Sequence, residues 1–121
     1  MTRRKDKSIS GLLPLAPLAF HILLELAEGE RHGYALKRAI AQRTGGAVNP
    51  GPGVLYSTIA KMVDSGVIEE SDERPDPHLD DERRRYYRIT ALGRRVARAE
   101  AVRMRDLVEA ADRRFGLPET A

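Results

Sequence analysis

Apolar side chains along this chain follow a helical period three times, switch to a period of two, then return to the helical one. Leu18, Ile22, Leu23 and Leu26 lie three or four residues apart, which predicts a helix opened by Pro17 and stopped near Gly29. Proline suits a first helical turn because its missing N–H has no partner there. Tyr34, Leu36, Ile40 and Ala41 predict a second helix within HGYALKRAIAQRTGG, ended by Gly45-Gly46. The turn VNPGPG offers Asn49 as an N-cap and Pro50 as a first helical residue. Leu55, Ile59, Met62 and Val63 then mark the apolar stripe of a third helix, stopped by Gly66.

The period changes after Gly66. VIEES reads as a short strand, and RRRYYRIT as a second one, with Arg85, Tyr87 and Ile89 on one face and Arg84, Tyr86 and Arg88 on the other. Between them, DERPDPHLDDE carries two prolines and a row of acids, which fits a loop and not a central strand. Thr90 is placed to cap a long final helix to about Arg114. The fold class expected is mainly α with a small two-stranded β-wing, in the order helix, helix, helix, strand, loop, strand, helix. Three short helices followed by a β-ribbon describe a winged helix-turn-helix.

Charge changes the picture more through its placement than its sum. The net charge of +3 and pI near 9.5 are only mildly basic. Arg3, Arg4, Lys5 and Lys7 form a basic arm; eight acids crowd between Glu69 and Glu82; Arg83, Arg84, Arg85 and Arg88 then reverse the sign. The acids are expected to hold a wing tip off a phosphate backbone, or to pair with arginines when DNA is absent, whereas the arginines at the wing's root suit phosphates. With 121 residues, one domain is expected, and no apolar run reaches the length of a bilayer crossing. No targeting segment is read at the N-terminus, where two prolines interrupt GLLPLAPLAF. A cytoplasmic protein without membrane contact is the expectation.

The absence of cysteine excludes disulfides and thiolate metal sites. His21, His32 and His78 form no ligand set: His21 sits in an apolar helix, and His32 enters the second helix, where it caps or packs. Asp76, His78 and Asp80 make a weak cation site at best, because flexible acidic loops rarely preorganise one. No Ser/His/Asp grouping or glycine-rich phosphate cradle is present, so no enzyme, cofactor or metal is expected.

In a helix-turn-helix the third helix enters the major groove and the second crosses the backbone. The polar side of the third helix carries Ser57, Thr58 and Lys61, which places them at base edges, with Gly53 and Val54 allowing close approach. Tyr34, Tyr56, Arg84, Arg85 and the basic arm are the candidates for the phosphate backbone. The competing reading for both tyrosines is core packing with the hydroxyl at the rim, and for Lys61 and the arginines a solvated surface.

HGYALKRAI, GPGVLYSTIAKMVDSGVIEE and RRRYYRITALGRR together resemble the PadR family of transcriptional regulators. The matching pieces are His32-Gly33-Tyr34, Gly53-Val54-Leu55-Tyr56, Gly66-Val67-Ile68 and Arg85-Tyr86-Tyr87 with Ile89, Thr90 and Gly93. The resemblance runs from Leu18 to about Glu100 and implies a dimeric DNA-binding repressor on an operator in double-stranded DNA, released by a small-molecule effector or a stress signal. The single C-terminal helix is like that of the short family members, in which it packs against the N-terminal helix of the second copy. The absence of tryptophan weakens the likeness to multidrug-sensing relatives.

The residues of the final helix bear on the same point. Ala97, Ala101, Met104, Val108, Ala111 and Phe115 alternate spacings of four and three, a seam that wants a partner helix. A homodimer is expected, with residues 1–11 as a basic arm, 12–90 as the DNA-binding domain and 91–121 as the dimerisation helix and tail. Two further readings stay open: a winged-helix module for protein interaction or RNA binding, and a small-molecule carrier or sensor with a vestigial DNA role.

Overall fold

The computed structural model describes residues 9–71 and 85–119. Helix α1 (Pro17–Leu26) opens with Pro17 at its first position and buries Ile22, Leu23 and Leu26. Strand β1 (Arg31–His32) leads directly into helix α2 (Gly33–Arg43). His32 caps that helix: its Nδ1 accepts the Ala35 N–H at 3.0 Å, so this nitrogen carries no proton. Helix α3 (Pro52–Ser65), strands β2 (Ile68–Ser71) and β3 (Tyr86–Ile89), and the long helix α4 (Ala91–Phe115) follow. The residues 72–84 that join β2 to β3 fall outside the described range, and with them Arg83, Arg84, His78 and the acidic tip; the basic arm lies outside it as well.

One core joins these elements. Ile22, Leu23, Leu36, Ile40, Leu55, Ile59, Ile68 and Val96 are each 0–2 % exposed, and burying such a side chain contributes about 1.5–3 kcal/mol before entropy is charged against it. Helices α1, α2 and α3 meet over it, the sheet closes one side, and α4 adds Val96 and the half-buried Leu92.

Three details depart from the pattern read along the chain. The sheet is three-stranded, in the order β1-β3-β2 and antiparallel throughout, with Arg31 opposite Tyr87 and His32 opposite Tyr86. The His32 ring meets Tyr86 edge-on at 5.4 Å, which ties the start of α2 to the wing. Helix α3 begins two residues later than Asn49 and Pro50 indicate: Gly51 is its N-cap and Pro52 its first residue, while the Asn49 amide oxygen accepts from Lys37 Nζ at 3.1 Å. Tyr34 lies outside the core and is 53 % exposed, and Val63 sits at the edge of its stripe, 38 % exposed.

The junction between α3, β2 and α4 is tightly built. Gly66, at φ +83°, ends α3 with its N–H bonded to the Val63 carbonyl and that of Val67 to the Met62 carbonyl, the paired bonds of a Schellman turn. Thr90 caps α4 by accepting the Gly93 N–H at 3.0 Å, and its own hydroxyl donates to the Gly66 carbonyl at 2.6 Å. A Cβ on Gly93 would stand 2.0 Å from the Val67 carbonyl oxygen, so a side chain there would force helix and strand apart. Two buried carboxylates brace the helices: Glu25 pairs with Arg43 at the end of α2, and Glu100 takes two bonds of 2.8 Å from Arg103.

Candidate nucleic-acid interface

Leu55, Ile59 and Met62 anchor α3 to the core, so the side it turns away is fixed by the 3.6-residue repeat. Val54 (59 % exposed), Ser57 and Lys61 form that outward line. Thr58 lies a third of a turn from Ile59 and is half-buried on the flank. Ser57 Oγ donates to the Val54 carbonyl at 3.2 Å and Thr58 Oγ1 to the same carbonyl at 2.8 Å. With their protons turned inward, both hydroxyls present lone pairs and suit a donor such as a base amino group. Lys61 forms no ion pair among the described residues.

The start of α3 is chemically open. Gly51 provides no capping side chain, Pro52 has no N–H, and the first bond of the helical ladder runs from Leu55 N–H to the Gly51 carbonyl. The N–H groups of Gly53 and Val54 have no partner among the described residues, at the positive end of the helix dipole. A Cβ at Gly51 or Gly53 would meet nothing within 4 Å, so the packing of this chain demands glycine at neither position. Bare backbone with free N–H groups is what a phosphate oxygen approaches.

Helix α2 adds a second set. Tyr34, Lys37 and Arg38 share one face at i, i+3 and i+4. Arg38 is exposed without an acidic partner among the described residues, and Asn49 holds the Lys37 ammonium toward the entrance of α3. Lys37 and Arg38 escape a reading that looks for apolar stripes; their spacing from Tyr34 is the signal that finds them. The tyrosines separate: Tyr34 is free to reach outward, whereas the Tyr56 ring lies over Gly33, where a Cβ would come within 2.7 Å of it. Tyr56 thus holds α3 against the first turn of α2.

At the wing root the arginines are already compensated. Arg85 faces Glu70 at 3.5 Å, and Arg88 sits between Glu69 at 2.7 Å and Glu30 at 3.6 Å. Arg84 lies outside the described residues.

The seam on α4 begins half-buried at Ala97, on the chain's own core, and emerges into solvent. Met104 is 41 % exposed, Val108 53 % and Phe115 79 %, with Ala101 also exposed and Ala111 half-buried. Leu107, 62 % exposed, widens the stripe beyond the six positions of the heptad. Glu100 lies beside it, its carboxyl held below its ordinary value by the Arg103 guanidinium and the Leu15 N–H against the opposing effect of burial. Among the described residues no group of side chains has the make-up of a metal site, and no helix is long and apolar enough to cross a membrane.

Residues 22–99 match the transcriptional regulator PadR-like family, well over half of the chain. The chain belongs to that family. Solved structures agree with it. A transcriptional regulator from Clostridium thermocellum superposes with a TM-score of 0.67 at 25 % identity, covering 83 % of this chain and 90 % of that one. RosR from H. salinarum gives 0.57 at 26 % identity, over 89 % and 84 % of the two chains. PadR from Bacillus subtilis, solved in complex with operator DNA, shares the fold with a TM-score of 0.56 at 22 % identity, over 89 % of this chain and 54 % of its own. An uncharacterised 37.1 kDa protein in transposon TN4556 of Streptomyces fradiae is 33 % identical over 80 residues, 66 % of this chain; the chain spans about a fifth of that relative's length. The shared fold is a winged helix, in which β2 and β3 are the strands of the wing.

Proposed function

We propose that this PadR-like regulator works as a homodimeric repressor whose two α3 helices enter successive major grooves of a pseudo-palindromic operator, about 34 Å apart. The observation that carries the reading is the outward side of α3: two hydroxyls and, without partners among the described residues, a lysine and two backbone N–H groups at the helix start. A helix about 10–12 Å across fits a major groove about 12 Å wide. Lys61 and Ser57 reach base edges, and Thr58 contacts them from the flank. Tyr34, Lys37 and Arg38 hold the phosphate backbone. Tyr56 serves by setting the angle between α2 and α3. The capture of Bacillus subtilis PadR on operator DNA supports this docking for a chain of the same fold.

The paired state of Arg85 and Arg88 favours a backbone grip by α2 over one by the wing root, where Arg84 and Arg85 are the other candidates. The dimer forms along the α4 seam of Ala97, Ala101, Met104, Val108, Ala111 and Phe115, with Leu107 beside it. Release by an effector requires a ligand with unequal affinity for two arrangements of the reading helices.

The test is selection of bound duplexes from fragmented genomic DNA at a stated salt concentration, followed by titration of the selected duplex. Lys61→Ala weakens binding by about 1–3 kcal/mol and relaxes selectivity at one position if Lys61 reads a base; a phosphate contact instead lowers the salt slope by about one. Unchanged affinity together with unchanged salt dependence removes Lys61 from the interface. Failure to select any duplex, with dimerisation intact, favours a protein-interaction module.

A further inference from the structure

The two arginines at the wing root are held with unequal strength. Arg88, in the central strand β3, meets two carboxylates: Glu69, directly opposite it on β2, accepts from its Nε at 2.7 Å, and Glu30, just before β1, stands 3.6 Å away. Arg85, one residue before β3, pairs among the described residues with Glu70 alone, at 3.5 Å, and both side chains are more than a third exposed. The hairpin register puts Arg85 at the end of the sheet remote from α4: Ser71 lies opposite Tyr86, and Ile68 opposite Ile89, next to the Thr90 cap. The edge-on contact of Tyr86 with His32 keeps that end beside the first turn of α2, which carries Tyr34.

We propose that Glu70 is a specificity-determining residue: it occupies Arg85 on DNA of arbitrary sequence and yields it to a phosphate on the operator. The inference rests on the reading of α3 as the helix that contacts bases. An exposed ion pair is weak, so a well-placed phosphate, which a guanidinium meets with two parallel hydrogen bonds, displaces the carboxylate. A phosphate out of alignment does not. Base contacts of α3 fix the register of the operator and bring one phosphate into line with Arg85. On other sequences the register is not fixed, and Arg85 stays with Glu70. Arg88, with two acids, stays paired on both. The wing root thereby adds to operator binding without adding to the sequence-independent attraction that competes with it.

The test compares the duplex selected from genomic DNA with one of the same length and shuffled sequence, each titrated with the full chain over a range of salt concentrations. Glu70→Gln/Arg85→Gln removes the pair and leaves the net charge as it was. It lowers the salt slope on the selected duplex by about one and leaves that on the shuffled duplex unchanged. Glu70→Gln alone frees Arg85: the slope on the shuffled duplex steepens by about one, that on the selected duplex holds, and the gap between the two affinities narrows. Glu69→Gln/Arg88→Gln alters neither slope. An unchanged slope on the selected duplex in Glu70→Gln/Arg85→Gln overturns the proposal alone, as does an equal change on both duplexes. The same loss in Glu69→Gln/Arg88→Gln also overturns it, because the effect then belongs to the sheet and not to Arg85. Failure of the unaltered chain to bind duplexes, or to discriminate between them, overturns the reading of α3 and this proposal together.

Discussion

The two halves of α4 are built of the same residue types and live in different surroundings. From Ala91 to Glu100 the helix lies on the chain's own core: Val96 is fully buried, Gly93 touches the Val67 backbone, and Glu100 is buried against Arg103. From Ala101 to Phe115 the same spacing of apolar side chains faces solvent, with Leu107, Val108 and Phe115 more than half exposed. The first half completes a fold that one chain can bury. The second half presents an apolar stripe that this chain leaves uncovered, which is the physical argument for a second copy.

Changes in the first half are expected to break the fold, and changes in the second to break the proposed dimer. The largest effect is expected at Gly93. Gly93→Ala places a methyl group against the Val67 carbonyl and the Ile89 side chain, costs more than about 3 kcal/mol, and lowers the unfolding midpoint in any oligomeric state. A stable Gly93→Ala protein means the contact relaxes freely. Next comes the seam. Met104→Glu with Val108→Glu puts like charges along a helix–helix contact; sedimentation is expected to show a monomer whose helix content is unaltered at low temperature. A dimer that survives both substitutions moves the interface elsewhere.

The boundary between the halves gives the smallest and most specific effect. Glu100 titrates in the folded chain below its ordinary value of 4.5, chiefly because of Arg103. A lowered carboxyl stabilises the fold fully above that ordinary value, and the stabilisation disappears as pH falls through the folded one. Glu100→Gln therefore costs on the order of 1 kcal/mol at neutral pH, discounted for the solvent on the Arg103 side, and nearly nothing at strongly acid pH. Parallel pH profiles for the two proteins would assign the anchoring of α4 to packing alone.

Periodicity made the helices and the wing legible, because each apolar stripe is also a buried one: Ile22, Leu23 and Leu26, then Leu36 and Ile40, then Leu55, Ile59 and Met62. Strand β1 was not legible, since two residues have no alternation and their partners lie more than fifty positions on, at Tyr86 and Tyr87. The start of α3 was ambiguous because PGPG offers two prolines equally fit for a first turn. Tertiary contact decided it, by engaging Asn49 with Lys37. Tyr34 counts as apolar in a stripe and is exposed here, a choice its hydroxyl permits. Side-chain placement was legible where it depends on one helix face, as in the outward position of Ser57 and Lys61. It was not where two elements meet: Thr58 on the flank, Arg43 on buried Glu25, and the compensated Arg85 and Arg88.

The central claim is that the outward side of α3, with the adjoining face of α2, meets the duplex. Backbone amide chemical shifts of the full chain, followed as duplex DNA is added, test it most directly, and phosphate attraction makes even a duplex of arbitrary sequence sufficient at low salt. The account predicts the largest changes at Gly53, Val54, Ser57 and Lys61, smaller ones at Tyr34 and Arg38, and their loss as salt is raised. Changes that spare α3 and gather on α4 or the exposed edge of the sheet would contradict it.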